Sequence, residues 1–397
     1  MLLPHDDPIV VASLARTPMG GLQGDLASLR APDLGALAIK GALERAGIKP
    51  GAVDEVLMGC VLPAGQGQAP ARQAAIHAGL PTYVPCTTIN KMCGSGMKTV
   101  MMMAQAIAAG SVSVGVAGGM ESMSNAPYLL PKARSGYRMG HGQVLDHMFL
   151  DGLEDAYEGG LMGSFAEMCA DKFSFSREQQ DDFAIASLER AIAASDKAFA
   201  EELVSVTIAT KSGDTVIDRD EQPFKARPEK IPHLKPAFRR DGGTVTAANA
   251  SSISDGAAAL LMMRQSQADQ LEISPLAKLT AMTSHAQDPA WFTTAPIGAF
   301  EKLFDAEGTK ATDYDLFEVN EAFAVVPLAV MGELNIPHER MNVHGGACAL
   351  GHPIGASGTR IIGGLINALR FRGKTRGAAG ICIGGGEATA VAVEILG

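Results

Sequence analysis

The sequence predicts an α/β protein made of two similar halves with a further segment inserted between them. Predicted strands and helices alternate along the chain, which is typical of layered α/β folds. Two stretches also repeat each other. A strand near Asp54 is followed by a glycine-rich helix start at Cys93, and a strand near Asp315 is followed by one at Gly355, at nearly the same spacing. Such self-similarity indicates an internal duplication.

The first half contains alternating helices and short apolar strands. Ser, Thr, Asp and Asn residues are preferred helix caps, and apolar runs of four to eight residues are typical of buried strands. The predicted elements are, in order, a helix capped by Asp33 and ending near Gly47, strands over 55–59 and 87–90, a helix from Gly94 to about Ala109, and a strand over 112–117.

The second half repeats this order. Residues 315–319 resemble the first strand of the first half, and 355–358 open a helix much as 93–96 do. A glycine pair at 118–119 closes the first unit, and another at 384–385 closes the second. We therefore expect two similar α/β domains packed face to face.

Residues 124–250 differ from both halves because charged residues and prolines become frequent there. Ser176 and Gln179 fit a capping box before an amphipathic helix from Glu178 to about Ala200. The stretch 211–240 carries eight Lys or Arg residues and five Asp or Glu residues, so it is locally basic. The segment is interpreted as an inserted subdomain, and its basic part as either a ligand-facing or a solvated surface.

Composition excludes several classes of protein. The 397 residues carry a net charge of -10, which disfavours binding to nucleic acid and to anionic membranes. The six cysteines show no zinc-ligand spacing. The start of the chain lacks a long apolar core, so no signal peptide is expected, and glycines and serines interrupt the apolar run 97–120. We expect a cytoplasmic protein with reduced cysteines.

Cys93 is the first candidate for chemistry, because it lies between a predicted strand and a predicted helix. A thiol at a helix start faces the positive end of the helix dipole, which favours the thiolate. Gly94 and Gly96 remove side-chain bulk, so an acyl group could approach the sulfur. The alternative is a buried structural cysteine beside a tight turn.

Three further residues are candidates in the second half. His352, in a glycine-rich loop, could act as the base for a thiol or could be structural. Cys382 ends an apolar strand before three glycines, and the N–H groups from Gly384 onward could bind an oxyanion; the alternative is a buried cysteine before a turn. Asn320 ends another strand, where its amide could hold a water or cap the next helix.

Taken together and in this order, the four motifs resemble the thiolase family along essentially the whole chain. The resemblance implies a five-layer α-β-α-β-α core with a loop domain over coenzyme A. It implies that Cys93 carries the acyl group, that His352 activates it, and that Cys382 moves a proton at the substrate α-carbon. It further implies that Asn320 positions a water for one oxyanion site, and that the N–H groups of Cys93 and Gly384 form a second.

The resemblance also implies where coenzyme A binds. Residues 246–251 resemble the family segment that runs along the pantetheine. The basic residues near 225–227 are expected to face the coenzyme phosphates. The expected contacts are Leu153, Met162, Lys225, Arg227, Phe238, Ala247, Ser251 and Ala322.

Two local motifs point to different acyl chain lengths. Short-chain thiolases often carry His-Met-Gly where this chain has 161–163, Leu-Met-Gly. Around Cys93, however, the Asn-Lys-x-Cys-Gly-Ser-Gly pattern resembles acetoacetyl-CoA-forming members, whereas degradative members more often show Arg and Cys-Ser-Ser-Gly. The nucleophile motif is given more weight, and Met92 and Met123 are expected to limit the acyl pocket.

The function expected from these motifs is reversible Claisen condensation of two acetyl-CoA to acetoacetyl-CoA and CoA. The alternatives are a degradative 3-ketoacyl-CoA thiolase of broader chain length and a non-catalytic acyl-CoA-binding protein. No metal or redox cofactor is implied, and a homodimer or homotetramer is expected. The predicted division is 1–123 completed by about 251–275, the inserted coenzyme A-binding loop domain 124–250, and 276–397.

Overall fold

The computed structural model describes residues 1–3, 6–211 and 213–396. Its strands are β1 (Ile9–Arg16), β2 (Gly20–Gly21), β3 (Glu55–Gly59), β4 (Cys86–Ile89), β5 (Val114–Ser122), β6 (Tyr128–Leu129), β7 (Leu145–Asp146), β8 (Val206–Thr210), β9 (Gly213–Ile217), β10 (Ser254–Arg264), β11 (Ala277–Ala286), β12 (Leu316–Val319), β13 (Arg376–Ile383) and β14 (Glu387–Ile395). Its α-helices are α1 (Ala31–Ala46), α2 (Pro70–His77), α3 (Ser95–Ala108), α4 (Met162–Phe173), α5 (Arg177–Ala194), α6 (Gln222–Lys225), α7 (Gln265–Gln270), α8 (Ala295–Glu307), α9 (Val325–Leu334), α10 (Ala347–Leu350) and α11 (Ser357–Phe371).

The two halves have the same strand order. In the first half the neighbours are β1, β10, β5 and β3, with β4 at the edge; in the second half they are β11, β14, β13 and β12. Counted from β3 and from β12, each half has a parallel pair and then two antiparallel pairs, and the first half adds β4 parallel to β3. The halves join where β1 pairs with β11 through only two residue pairs. The predicted duplication is therefore visible in the topology.

Matching aspartates fasten the parallel strand pair in each half. The Asp54 carboxylate accepts the N–H groups of residues 113–114 at 2.8 and 2.9 Å. The Asp315 carboxylate accepts those of residues 375–376 at 3.1 and 3.0 Å. In both cases an acidic side chain before one strand binds the start of its parallel neighbour, so the duplication extends to individual hydrogen bonds.

Apolar residues form three helix layers separated by the two parts of the sheet. Helices α1 and α2 cover the outer face of the first half, and α8 and α9 cover that of the second. Helices α3 and α11 pack against each other between the halves. The predicted five-layer α-β-α-β-α arrangement is confirmed, and its central layer brings the starts of α3 and α11 together.

The close approach of these two helices requires glycine. A Cβ on Gly358 would collide with the backbone nitrogen of Met97. The Thr359 hydroxyl donates to the Gly96 carbonyl at 2.9 Å, which links the first turns of α3 and α11. Because Cys93 and His352 lie just before these first turns, the packing fixes their separation.

Some predicted boundaries are wrong for identifiable reasons. Asp33 is not the N-cap, because α1 begins at Ala31 and has proline in its first turn. The Asp33 carboxylate nevertheless accepts the Arg30 N–H at 3.2 Å. Glycines 118–119 lie inside β5 and do not close the unit. Glycine is needed at 119 because a Cβ there would collide with the Gly355 carbonyl. The capping box of Ser176 is confirmed, although its helix ends at Ala194.

The inserted segment adds the hairpins β6–β7 and β8–β9 and is fastened to β1 by buried charges. Arg16 forms ion pairs with Glu202 and, at 2.6 Å, with Asp220. In the part of the chain that the structure describes, every helix is too short or too polar to cross a membrane. Strand β10 returns to the first half between β1 and β5, which is compatible with the predicted division.

Candidate active site

The turn that carries Cys93 is held by its own side chains. Asn90 Oδ1 accepts the Met92 N–H at 3.0 Å, and Ser95 Oγ accepts the Lys91 N–H at 2.8 Å. The same Ser95 hydroxyl donates to the Met92 carbonyl at 2.6 Å. Met92 has a φ of 47°, in the left-handed region that costs free energy for a residue with a side chain. The turn is therefore a built feature that presents Cys93 at the start of α3.

The Cys93 thiol is protonated at neutral pH, which corrects the expectation that the helix start favours the thiolate. Burial raises its pKa to about 11. Hydrogen bonds from the N–H groups of Gly384 and of Cys93 itself act in the opposite direction, and the nearby Glu121 carboxylate raises the pKa further. Loss of solvation outweighs the two N–H groups. A nearby base is therefore needed before this thiol can attack a carbonyl.

His352 is a buried, neutral imidazole whose two ring nitrogens have different partners. Its Nδ1 lies 2.6 Å from Ser357 Oγ, and that hydroxyl donates its only proton to the Pro353 carbonyl at 3.0 Å. Nδ1 must therefore carry the imidazole proton, which leaves Nε2 as an acceptor. Burial and the neighbouring Arg360 lower the pKa of His352 to about 3. Nε2 is thus the ring atom at which a proton could be accepted, and the lowered pKa makes the resting ring a weak base.

Asn320 follows β12 and points its amide toward His352. Its Nδ2 lies 3.4 Å from His352 Nε2, while Oδ1 is buried without a hydrogen-bond partner among the described residues. Helix α9 begins only at Val325, so the alternative of a helix cap is wrong. A buried amide oxygen without a partner is uncommon and points to a group that binds there.

Cys382 lies at the end of β13, close to the nucleophile. Burial raises the pKa of its thiol well above the usual value, and the charge of a Cys93 thiolate raises it further. The following turn contains Gly385 and Gly386 with φ of 93° and 84°, a backbone conformation that favours glycine. The two thiols therefore face one small site, with the Gly384 N–H on the Cys93 sulfur.

Glu121 is a site residue that the sequence reasoning missed. Its buried carboxylate accepts N–H groups from Val61 at 2.9 Å, Leu62 at 3.1 Å and Gly355 at 2.9 Å. Burial raises the pKa of this carboxyl to about 7. Glu121 thereby holds the loop that carries His352 against the first half. Its place near the end of a buried apolar strand could have marked Glu121 as a candidate in the sequence.

The Cys93 side chain packs against an apolar cluster. The predicted Met92 and Met123 both lie in it, and so does Leu153, at the end of a five-residue π-helical turn. Met148 is buried in the same cluster, and its place in the inserted segment gave no signal in the sequence. The cluster is completed by Val61, Leu62, Ala126, Phe149, Ile253 and Ile354. The three methionines are the candidates for limiting the length of the acyl group.

A cleft of about 300 Å³ brings together three of the predicted coenzyme contacts, Lys225, Arg227 and Ala247. Lys225 already pairs with Glu221 and, at 3.2 Å, with Asp25. Arg227 is exposed and forms no ion pair with any described residue. Ala248, in the predicted pantetheine segment 246–251, also lines it. The remaining lining residues, which were not expected to contact the coenzyme, are Ala184, Leu188, Gln222, Ala226, Lys230, Ile231, Leu234, Ser252, Cys348 and Ala349.

The other predicted contacts lie outside the lining of this cleft. The Ser251 N–H donates to the Ala322 carbonyl at 2.9 Å, two residues after Asn320. The Phe238 ring packs against Phe323, with ring centroids 6.0 Å apart. The Met162 sulfur lies 3.5 Å from the position of a Cβ built on Gly384, and Leu161 forms a bridge with Glu154. Met162 therefore borders the glycine turn of the catalytic site.

In the described ranges, no group of three or more His, Cys, Asp or Glu residues is arranged to hold a metal ion. The arrangement provides a partly buried thiol, a neutral imidazole, a second, buried thiol and backbone N–H groups. Such a set can carry out acyl transfer through a covalent thioester.

Comparison with known proteins agrees with this chemistry. Residues 9–266 match the family described as thiolase, N-terminal domain, and residues 273–395 match thiolase, C-terminal domain. The chain belongs to the thiolase family.

Individual relatives resemble nearly the whole chain. It is 50% identical to acetyl-CoA acetyltransferase 2 of Arabidopsis thaliana, covering 99% of this chain and 98% of that protein. It is 47% identical to an acetyl-CoA acetyltransferase of Cupriavidus necator, covering 97% and 99%. The structure of the Acat5 thiolase from Ascaris suum in complex with coenzyme A superposes with a TM-score of 0.92 at 41% identity, covering 98% of this chain and all of that one.

Proposed function

We propose that the protein interconverts two acetyl-CoA with acetoacetyl-CoA and CoA through an acetyl thioester on Cys93. The observation that carries this proposal is a thiol at the start of α3 that packs against methionines, accepts the Gly384 N–H and lies close to a second thiol. Relatives of nearly equal length that are named acetyl-CoA acetyltransferase support it. We infer that the methionines packed around Cys93 limit the acyl group to acetyl, which argues against the broader degradative thiolase.

The first half-reaction forms the acetyl-enzyme. His352 Nε2 takes the proton of Cys93, and the thiolate attacks the carbonyl carbon of acetyl-CoA. The N–H groups of Cys93 and Gly384 stabilise the oxyanion, which then collapses and expels the CoA thiolate. Cys382 donates its proton to that thiolate, so CoA leaves as the thiol. The imidazolium of His352 and the thiolate of Cys382 remain.

The second half-reaction forms the carbon–carbon bond. The Cys382 thiolate removes a proton from the α-carbon of a second acetyl-CoA, and His352 with the Asn320 site stabilises the enolate oxygen. The enolate attacks the acetyl thioester, and the tetrahedral intermediate releases acetoacetyl-CoA. Cys93 then regains the proton held by His352. The raised pKa values of both thiols mean that each thiol holds a proton at rest, as the first step of this cycle requires. Because the pKa of resting His352 is low, bound substrate must favour the proton transfer to its ring.

We infer that Arg227, rather than Lys225, contacts the coenzyme phosphates. Lys225 is already neutralised by two carboxylates, whereas the guanidinium of Arg227 lines the same cleft and forms no ion pair with the described residues. Arg227→Glu should therefore raise the KM for CoA more than Lys225→Glu does, with little change in kcat. The difference should shrink at high ionic strength. Equal KM values for the two variants at low salt would contradict this inference.

A substrate series tests the proposed reaction. Thiolysis of 3-ketoacyl thioesters from C4 to C16 should show kcat/KM falling steeply with chain length. A flat or rising series would favour the degradative alternative. Absence of thiolysis with every substrate, while CoA still binds, would favour the non-catalytic binding protein. Cytoplasmic localisation, a homo-oligomeric state and the lack of a metal or redox cofactor stay predictions.

A further inference from the structure

An ion pair between Lys91 and Glu387 joins the two turns that meet at the Cys93 sulfur. Lys91 Nζ contacts Glu387 Oε2, and the side chains are 25% and 38% exposed. Lys91 belongs to the nucleophile turn of the first half, two residues before Cys93. Glu387 begins β14 in the second half, immediately after the glycine turn of Gly384. The pair therefore bridges the halves beside the reacting atom.

The first two residues of the glycine turn have few side-chain contacts, whereas the Gly386 carbonyl accepts the Gln287 N–H at 2.8 Å. A Cβ on Gly384 would meet only Met162, and one on Gly385 would meet only Tyr157, at 4.0 Å. By contrast, the turn residue Gly94 has no space for a side chain, because a Cβ there would collide with Ile383. The two turns thus lie side by side, with Ile383 packed on Gly94 and Gly386 held by Gln287, while Gly384 has the fewest contacts between them.

The backbone at Lys91 is well suited to act as an anchor between the two turns. Its N–H donates to Ser95 Oγ at 2.8 Å, and its carbonyl accepts the Gly94 N–H at 3.1 Å. Glu387 is equally fixed, since it pairs in register with Ile383 and Ala286 in the sheet. An ion pair between two rigid backbone positions transmits the geometry of one turn to the other.

We propose that Lys91 and Glu387 are positioning residues that hold the Gly384 N–H in line with the Cys93 sulfur. This inference rests on the proposed acetyl transfer, in which that N–H binds the oxyanion. A partly exposed ion pair contributes little to stability. Its loss should therefore slow acetylation of Cys93 without greatly changing the unfolding transition or the KM for acetyl-CoA.

The test measures single-turnover acetylation of Cys93 by acetyl-CoA in Lys91→Gln, Glu387→Gln and the charge-swapped variant Lys91→Glu/Glu387→Lys. Complete loss of one oxyanion-hole donor costs on the order of 10²–10³-fold. A displaced donor should cost less, so each single variant should be slowed roughly 10-fold. The charge swap should recover to within about 3-fold of the unaltered protein.

A matched control lies at the other end of the same strand. Lys278 and Glu394 form an ion pair at 2.9 Å with side chains 28% and 35% exposed, far along β14 from Gly384. Lys278→Gln removes an equivalent surface pair, and its acetylation rate should stay unchanged.

The possible outcomes separate this inference from the proposed function. If the unaltered protein is acetylated and both single variants are acetylated as fast as the Lys278→Gln control, the positioning role is overturned. The positioning role would also be overturned if acetylation of the charge-swapped variant were slowed by the product of the two single-variant factors. Absence of acetylation in the unaltered protein would refute the proposed function and this inference with it.

Discussion

The two halves of the molecule share one architecture but supply different chemistry. The first half contributes the Cys93 thiol and several of the apolar residues packed around it, including Met92 and Met123, and the inserted segment contributes most of the others. The second half contributes the polar groups, namely His352, Asn320, Cys382 and Gly384. Strand order and the aspartate bonds at Asp54 and Asp315 are nevertheless the same in both.

This difference shows where the duplicated fold can vary. The strands and central helices fix the positions at which loops meet, and the loops that follow the strands carry the reactive groups. Neither half has a complete site, because the nucleophile and its base come from opposite sides of the α3–α11 contact. Glu121 couples them, since it lies in the first half and binds the His352 loop of the second.

The largest expected effect follows from removing the base of the second half. His352→Gln keeps a polar side chain but cannot accept the Cys93 proton, so kcat should fall about 10²–10⁴-fold. His344→Gln is the matched control. It alters a histidine of the second half that is also buried but packs against the rings of Phe199 and Phe371. A His352→Gln variant with near-normal kcat would mean that another group activates Cys93.

Shortening the methionines packed around Cys93 should change substrate preference more moderately. Met123→Ala and Met148→Ala create space beside Cys93, so kcat/KM for a C6 ketoacyl thioester should rise relative to C4. A methylene in an apolar pocket sets a ceiling of roughly 10–200-fold per step. Met103→Ala removes a buried methionine that lies outside the apolar cluster around Cys93. It should leave the ratio of kcat/KM between the C6 and C4 thioesters unchanged. Identical ratios in all three variants would remove these methionines from the specificity account.

Stability toward acid should also depend on His352, which is neutral in the folded protein. Its pKa is lowered to about 3 when folded, against about 6.5 when unfolded. As pH falls below 6.5 the unfolded chain binds a proton that the folded protein does not, so unfolding becomes easier by up to roughly 1.4 kcal/mol per pH unit. Denaturant unfolding from pH 7 to 5 should therefore change less in His352→Gln than in the unaltered protein. His141→Gln, at an exposed position, should follow the unaltered curve.

The smallest effect tests the equivalence of the halves. Asp54→Ala and Asp315→Ala each leave two strand-edge N–H groups without their acceptor. Each substitution should lower the free energy of unfolding by about 1–3 kcal/mol, and kcat should stay normal. A large loss in one half and none in the other would show that the matching bonds have different importance.

The sequence predicted what depends on local pattern. Strand and helix order, the duplication and the special settings of Cys93 and His352 all follow from glycines, apolar runs and spacing along the chain. It did not predict the raised pKa of Cys93, because burial of that sulfur depends on segments far away in sequence. The Glu121 bonds and the Lys91–Glu387 pair were missed for the same reason: each joins residues more than fifty positions apart.

The central claim is that Cys93 carries the acetyl group while Cys382 moves the α-proton. The most direct measurement incubates Cys93→Ser and Cys382→Ser with acetyl-CoA in heavy water, followed by peptide mapping and analysis of deuterium in the acetyl group. We expect Cys382→Ser to be acetylated on Cys93 but to exchange no α-protons, and Cys93→Ser to remain without a stoichiometric acetyl label. Full acetylation of another residue in Cys93→Ser, or normal exchange in Cys382→Ser, would contradict the account.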